Sequence, residues 1–209
     1  MITGYATPEG TKKFAERQHV TSQKNYKNIH NLTLSNVGIG TYLGNPDTET
    51  DYLVQDAVKK SILGGINVID SAINYRAQKA ERSVGNAISQ LIDNNDISRE
   101  EIFVSTKNGY VTNDGDIKED LMQYVMREYG KTGIVKEGDI SAQYNCVTIP
   151  FLEDQLARSQ KNLGLDCIDL MYLHNAVEGQ PQMPRDEFIA QLKNIFEFLT
   201  IKSYELNIF

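Results

Sequence analysis

Ile66-Asn67-Val68-Ile69-Asp70-Ser71-Ala72-Ile73-Asn74-Tyr75 decides the fold, because a short apolar run ends in a carboxylate and a phenol follows five residues later. Two other runs finish in the same way. Ile102-Phe103-Val104-Ser105-Thr106 leads into Lys107, and Ile168-Asp169-Leu170-Met171-Tyr172-Leu173 leads into His174. Where parallel strands alternate with helices, ligands and catalytic groups collect at the carboxyl ends of the strands. Asp70, Tyr75, Lys107 and His174 are therefore expected to converge on one mouth.

Outward from these strands, helices and turns fall into place. Leu32 to Leu43 reads as a strand or strand pair, with Gly38 and Gly40 marking a close approach and Gly40-Thr41-Tyr42 at its carboxyl end. Asp47 to Asp51 offer caps for a helix carrying Leu53, Val54, Ala57, Val58 and Ile62, which Gly64-Gly65 stops. Ala80, Val84, Ala87, Ile88 and Leu91 make the next amphipathic helix, and Ser98 with Glu101 reads as a capping box before the strand at 102–106. Residues 108–149 are too long for an ordinary connection and are expected to fold over the mouth, with a short helix near 119–128. A helix from Phe151 to Leu163, ended by Gly164, precedes the strand at 167–173. A last helix from Arg185 to about Leu199 places Phe188, Leu192, Ile195, Phe196 and Leu199 on one face.

The pattern is α/β, a parallel (β/α) TIM-barrel type over residues 32–199 with about four of the eight βα units of a closed barrel. Residues 1–31 are expected to form a polar arm or a small hairpin outside the main fold, and 200–209 a divergent tail. With 209 residues, 40% hydrophobic and 23% charged, the chain has the composition of a soluble globular domain. A formal charge of −7 and a pI near 5.0 argue against nucleic acid and anionic membranes as partners, since both need a basic footprint. No apolar run approaches the roughly 18 residues that would span a bilayer. The two cysteines, Cys146 and Cys167, read as inert thiols in a reducing, cytoplasmic setting. No His, Cys or carboxylate spacing suggests a metal, and no Gly-rich phosphate loop is present.

A phenol is a poor acid at neutral pH, and an ammonium within a few ångströms lowers its pKa by about one to three pH units. Lys107 is placed to do this for Tyr75, with Asp70 fixing the lysine and His174 orienting a substrate carbonyl. Singly, each residue has a structural explanation: Asp70 as a cap, Tyr75 as packing, Lys107 as a solvated strand end, His174 as a satisfied core histidine. Their shared place after successive strands favours chemistry. A strand-end lysine can also form a Schiff base, which keeps a Lys107 aldolase open.

The run Val68 to Tyr75, then Glu81-Arg82-Ser83-Val84-Gly85, Val104-Ser105-Thr106-Lys107 and Asp169-Leu170-Met171-Tyr172-Leu173-His174-Asn175 resemble, in order, motifs of the aldo-keto reductase family, and the insertion resembles a microbial branch of it. The resemblance implies that Asp70, Tyr75, Lys107 and His174 match its catalytic tetrad, with Tyr75 the proton donor. It implies NADP or NAD as cofactor, bordered by Gly40, Thr41, Tyr42 and Asp70, and an aldehyde or ketone as substrate. It covers 32–199 and ceases where the family continues into a fifth strand. The expectation is a chain truncated after its fourth helix, inactive or impaired by itself, with an open edge prone to self-association. A non-catalytic half-barrel is the alternative reading.

Overall fold

The computed structural model describes residues 1–18 and 22–206. The described residues form a four-stranded parallel sheet: β3 (Ile39–Gly40), β4 (Val68–Asp70), β5 (Phe103–Asn108) and β6 (Leu170–Leu173), adjacent in chain order. Helix α2 (Thr48–Leu63) links β3 to β4, α3 (Lys79–Asp93) links β4 to β5, and α5 (Ile149–Leu163) leads into β6. Strands laid down in sequence order, each reached through a helix, are the singly wound arrangement of a (β/α) barrel, here four units of it.

Local chemistry explains the boundaries. Asp47 caps α2, its carboxylate accepting the Thr50 amide at 2.7 Å, and Gly64 ends it. The Glu101 carboxylate accepts the Ser98 amide at 3.0 Å, so the capping box closes a short 3₁₀ turn before β5. α5 stops at Gly164, whose φ of 67° is the left-handed cap that glycine adopts without strain. Gly85 has a different reason. A Cβ there would stand 2.5 Å from the Leu163 carbonyl oxygen, so only glycine lets α3 approach α5 this closely.

Alternation along the strands sorts the faces. Ile69 and Val104 point to the helices and join Val58, Ile62, Val84, Ile88, Leu91 and Ile168 in the main core. Asp70, Ser105 and Lys107 take the opposite, inward face. β5 runs through Lys107 to Asn108, so the lysine lies within its strand rather than beyond it.

Three expectations are corrected. The first 31 residues contribute one strand of a small hairpin, but they do not lie outside the fold. They contain helix α1 (Pro8–Glu16), capped by Thr7, and strand β1 (Tyr26–Ile29), which pairs antiparallel with β2 (Leu32–Ser35). Phe14 and Ala15 are fully buried in the main core. Asn67 joins the hairpin to the sheet, its amide accepting from Ser35 N and donating to Thr33 O and Glu101 O. The Leu32 to Leu43 stretch divides accordingly, its first part in the hairpin and its second in the parallel sheet. The tail does not begin at residue 200, because, after the short helix α6 (Ala176–Gly179), helix α7 runs from Arg185 to Leu206 with no Gly or Pro to stop it. Phe188, Ile195 and Leu199 pack on its inner side, whereas Phe196 is 57% exposed and shares an open groove with Leu192. His19 and residues 207–209 lie outside the described residues. No described helix is long and apolar enough to cross a membrane.

Candidate active site

Register places the site. Gly40, Asp70 and Ser105 are paired across β3, β4 and β5, and Lys107 pairs with Tyr172 further along. The strands therefore deliver Asp70 and Lys107 to one end of the inward face. Lys107 Nζ donates to Asp70 Oδ2 at 2.6 Å and to the Ser71 carbonyl at 2.7 Å. Ser105 Oγ donates to the other Asp70 oxygen at 2.9 Å, so both carboxylate oxygens are held. Thr41 is buried, its hydroxyl donating to Asp70 O at 3.3 Å and to Ser71 Oγ at 3.0 Å.

Tyr75 follows on the loop after β4. The Lys107 ammonium stands 4.8 Å from its ring centre, within cation–π distance. Tyr42, 66% exposed, meets the Tyr75 ring edge-on at 5.0 Å, and His174 meets it edge-on at 5.7 Å. The backbone beyond Tyr75 is unusual: Arg76, Ala77 and Gln78 all have left-handed φ, between 51° and 71°. Non-glycine residues pay about 1–2 kcal/mol for that conformation. Contacts hold them there: Arg76 is buried against Asp51 and bonds Asn45 O, and the Gln78 amide donates to Asn113 O and to the Tyr124 hydroxyl.

His174 lies just past β6. Its Nδ1 is 3.1 Å from Asn74 Oδ1, its backbone carbonyl accepts from Asn145, and the Tyr110 ring packs edge-on at 4.9 Å. Burial, aided by the nearby Lys107 charge, holds the imidazole below the usual histidine pKa, with Asp70 acting in the other direction. Burial and the Lys107 charge both favour the neutral imidazole.

The structure brings together the four residues expected from the strand ends, with Gly40, Thr41 and Tyr42 along the neighbouring lip. It adds Ser71, Ser105, Asn74, Tyr110 and Asn145. Ser105 was readable, since it lies two residues before Lys107 on the same strand face. The others carry no such signal. Tyr110 and Asn145 form an isolated bridge within the insertion, whose Val111, Tyr124, Val125, Tyr129 and Cys146 form a second core with Phe151 of α5. Within the insertion lies α4 (Leu121–Val125), continued by a π turn. Asp114 and Asp116 tie the insertion to α3 through Arg82, and Asp116 reaches Lys79 as well. Neither cysteine forms a disulfide and both are buried, and burial lifts the Cys167 thiol to about 11. Among the described residues no His, Cys and carboxylate cluster could hold a metal.

Comparison with known proteins adds sequence relatives. The chain is 30% identical over 148 residues to the NADH-specific methylglyoxal reductase of Escherichia coli strain K12, covering 68% of this chain and 39% of that protein. Among solved structures, an aldo-keto reductase from Bacillus halodurans in its holo form is 22% identical with a TM-score of 0.49, covering 83% of this chain and 46% of that one. An aldo/keto reductase from Klebsiella pneumoniae, solved with NADP and acetate, is 18% identical with a TM-score of 0.46, covering 79% and 43%. The chain thus spans less than half the length of these relatives. The Aldo/keto reductase family model matches residues 36–201, from the turn before β3 into α7 and across all four strand ends, and the chain belongs to that family.

Proposed function

We propose that these residues are the acid–base side of a nicotinamide-dependent carbonyl reductase, in which Tyr75 gives its proton to the oxygen of an aldehyde or ketone. The observation that carries this reading is the Lys107 ammonium, fixed by Asp70 and Ser71 and set 4.8 Å from the Tyr75 ring centre. A fixed positive charge there stabilises the negative charge that grows on the phenol oxygen as its proton leaves. Asp70, itself held by Ser105, keeps the lysine from swinging away. His174, edge-on to the same ring, orients the carbonyl by a hydrogen bond.

The family and the name of the Escherichia coli relative support NADP or NAD as cofactor and a small carbonyl compound as substrate. The lip fits the flat end of such a cofactor: Gly40 has open space where a Cβ would point, and the exposed Tyr42 ring stands beside Tyr75. Gly40, Thr41, Tyr42 and Asp70 would border it there. When bound, the nicotinamide supplies the hydride. A Schiff-base role for Lys107 is less well supported, because it needs a lysine nitrogen free to attack, and Asp70 and Ser71 both engage this one. Two buried cysteines outside any disulfide support a reducing, cytoplasmic setting.

Positioning of reactants is worth about 7–11 kcal/mol, whereas proton transfer contributes about 10²–10⁴-fold, or about 3–5 kcal/mol. Four strands build one side of a mouth. The 209-residue chain by itself is therefore expected to show no detectable NAD(P)H-dependent carbonyl reduction, and to gain it when joined to the fifth-to-eighth-strand segment of a related reductase. Tyr75→Phe should then abolish turnover. Turnover by the chain alone would refute the impairment, and turnover that survives Tyr75→Phe would refute the assignment of the proton donor. The apolar residues along the sheet's open edges also support self-association.

A further inference from the structure

We propose that Asn74 is a positioning residue that decides which nitrogen of the His174 ring carries the hydrogen; what that hydrogen does rests on the reductase reading of the site. Asn74 directly precedes Tyr75, and its Oδ1 lies 3.1 Å from His174 Nδ1, a contact between residues 100 positions apart. An amide oxygen only accepts, and a neutral imidazole has one N–H. The ring facing Asn74 Oδ1 therefore keeps its hydrogen on Nδ1 and leaves Nε2 as an acceptor. Around it stand Lys107 from β5, Asp70 from β4, the Tyr75 phenol and, from the insertion, Tyr110.

An acceptor at Nε2 suits an alcohol, whose hydroxyl donates, but not a carbonyl, which needs a donor. The amide resolves this because its two ends are opposite in kind. Turned over, Nδ2 donates to Nδ1, and the ring hydrogen belongs on Nε2, ready for a carbonyl oxygen. The tautomer then follows the amide with no change of charge. An aspartate at this position offers only the accepting end, and a leucine offers neither.

The test is ring ¹⁵N–¹H correlation spectroscopy on ¹⁵N-histidine-labelled chain at neutral pH. Only three histidines are present, and the His174 signals are those lost in His174→Gln. In the unliganded chain the hydrogen is expected on Nδ1. In Asn74→Leu it should move to Nε2, the preferred site in a free imidazole side chain. In Asn74→Asp it should stay on Nδ1 while the titration midpoint rises by about one pH unit or more, as a facing carboxylate stabilises the imidazolium. Asn74→Ala provides the same comparison should the leucine variant fail to fold. Hydrogen on Nε2 in the parent chain, or a tautomer and midpoint unmoved by these substitutions, would overturn the inference. Because the spectra need no turnover, a failure of the reductase reading would leave this result standing.

Discussion

His174 sits between two tyrosine rings and an ammonium, and these neighbours set its charge. Burial first, and then Lys107, depress its pKa below 6.5, while Asp70 opposes them. The unfolded chain therefore takes up the proton first. The stability contributed by the neutral ring is fully present above about pH 6.5 and is lost as pH falls below it toward the folded value. An NMR titration should find the His174 midpoint below 6.5. Lys107→Met should raise it, since one depressing charge is removed and Asp70 remains; a midpoint that stays or falls would contradict this account.

Among the elements, the amino-terminal segment has the strongest single tie. Asp169, buried just before β6, pairs with Arg99 at 2.8 Å; its two oxygens also accept the Val104 amide at 2.7 Å and the Ala6 amide at 2.6 Å. Arg99 donates further to the carbonyls of Ile102 and Cys167. One carboxylate thus joins the first residues, β5 and the approach to β6. Asp169→Ala would leave a buried guanidinium without its counter-charge and two buried amides without an acceptor. The expected loss is about 3–5 kcal/mol in urea unfolding, with faster hydrogen exchange in residues 2–16. A loss under about 1 kcal/mol, the size expected of a surface pair, would show that water replaces the carboxylate.

At the scale of the molecule, the described sheet ends in two open edges. Beside β3 lies a groove lined by Ile39, Tyr42, Leu43 and Val54, with Leu43 80% exposed; beside β6 lies another lined by Leu170, Met171, Phe196 and Leu199. Unpaired edges flanked by exposed apolar side chains favour association. Light scattering on the isolated chain should show mass rising with concentration, and Leu43→Lys with Phe196→Lys should suppress the rise. A monodisperse monomer at high concentration would count against it.

The sequence by itself determined what local physics controls. Alternation and short apolar runs gave the parallel strands, and 3.6-residue spacing gave α2, α3, α5 and α7. Caps and glycines gave most of the ends, and the expected strands carry Asp70 and Lys107 to one end of the sheet, with His174 just beyond β6. Tertiary structure decided the rest. α1 reads as polar, with Thr11, Phe14 and Ala15 as its buried residues, so its place in the core depends on the surface that β2 and the 3₁₀ turn at 99–101 present to it. Phe196 looks like a core residue until the packing of α7 turns it outward. Asn74, Tyr110 and Asn145 meet His174 from segments remote in the chain, and no periodicity marks them. Periodicity records which side of an element is buried; the partner on that side is fixed only when distant segments pack together.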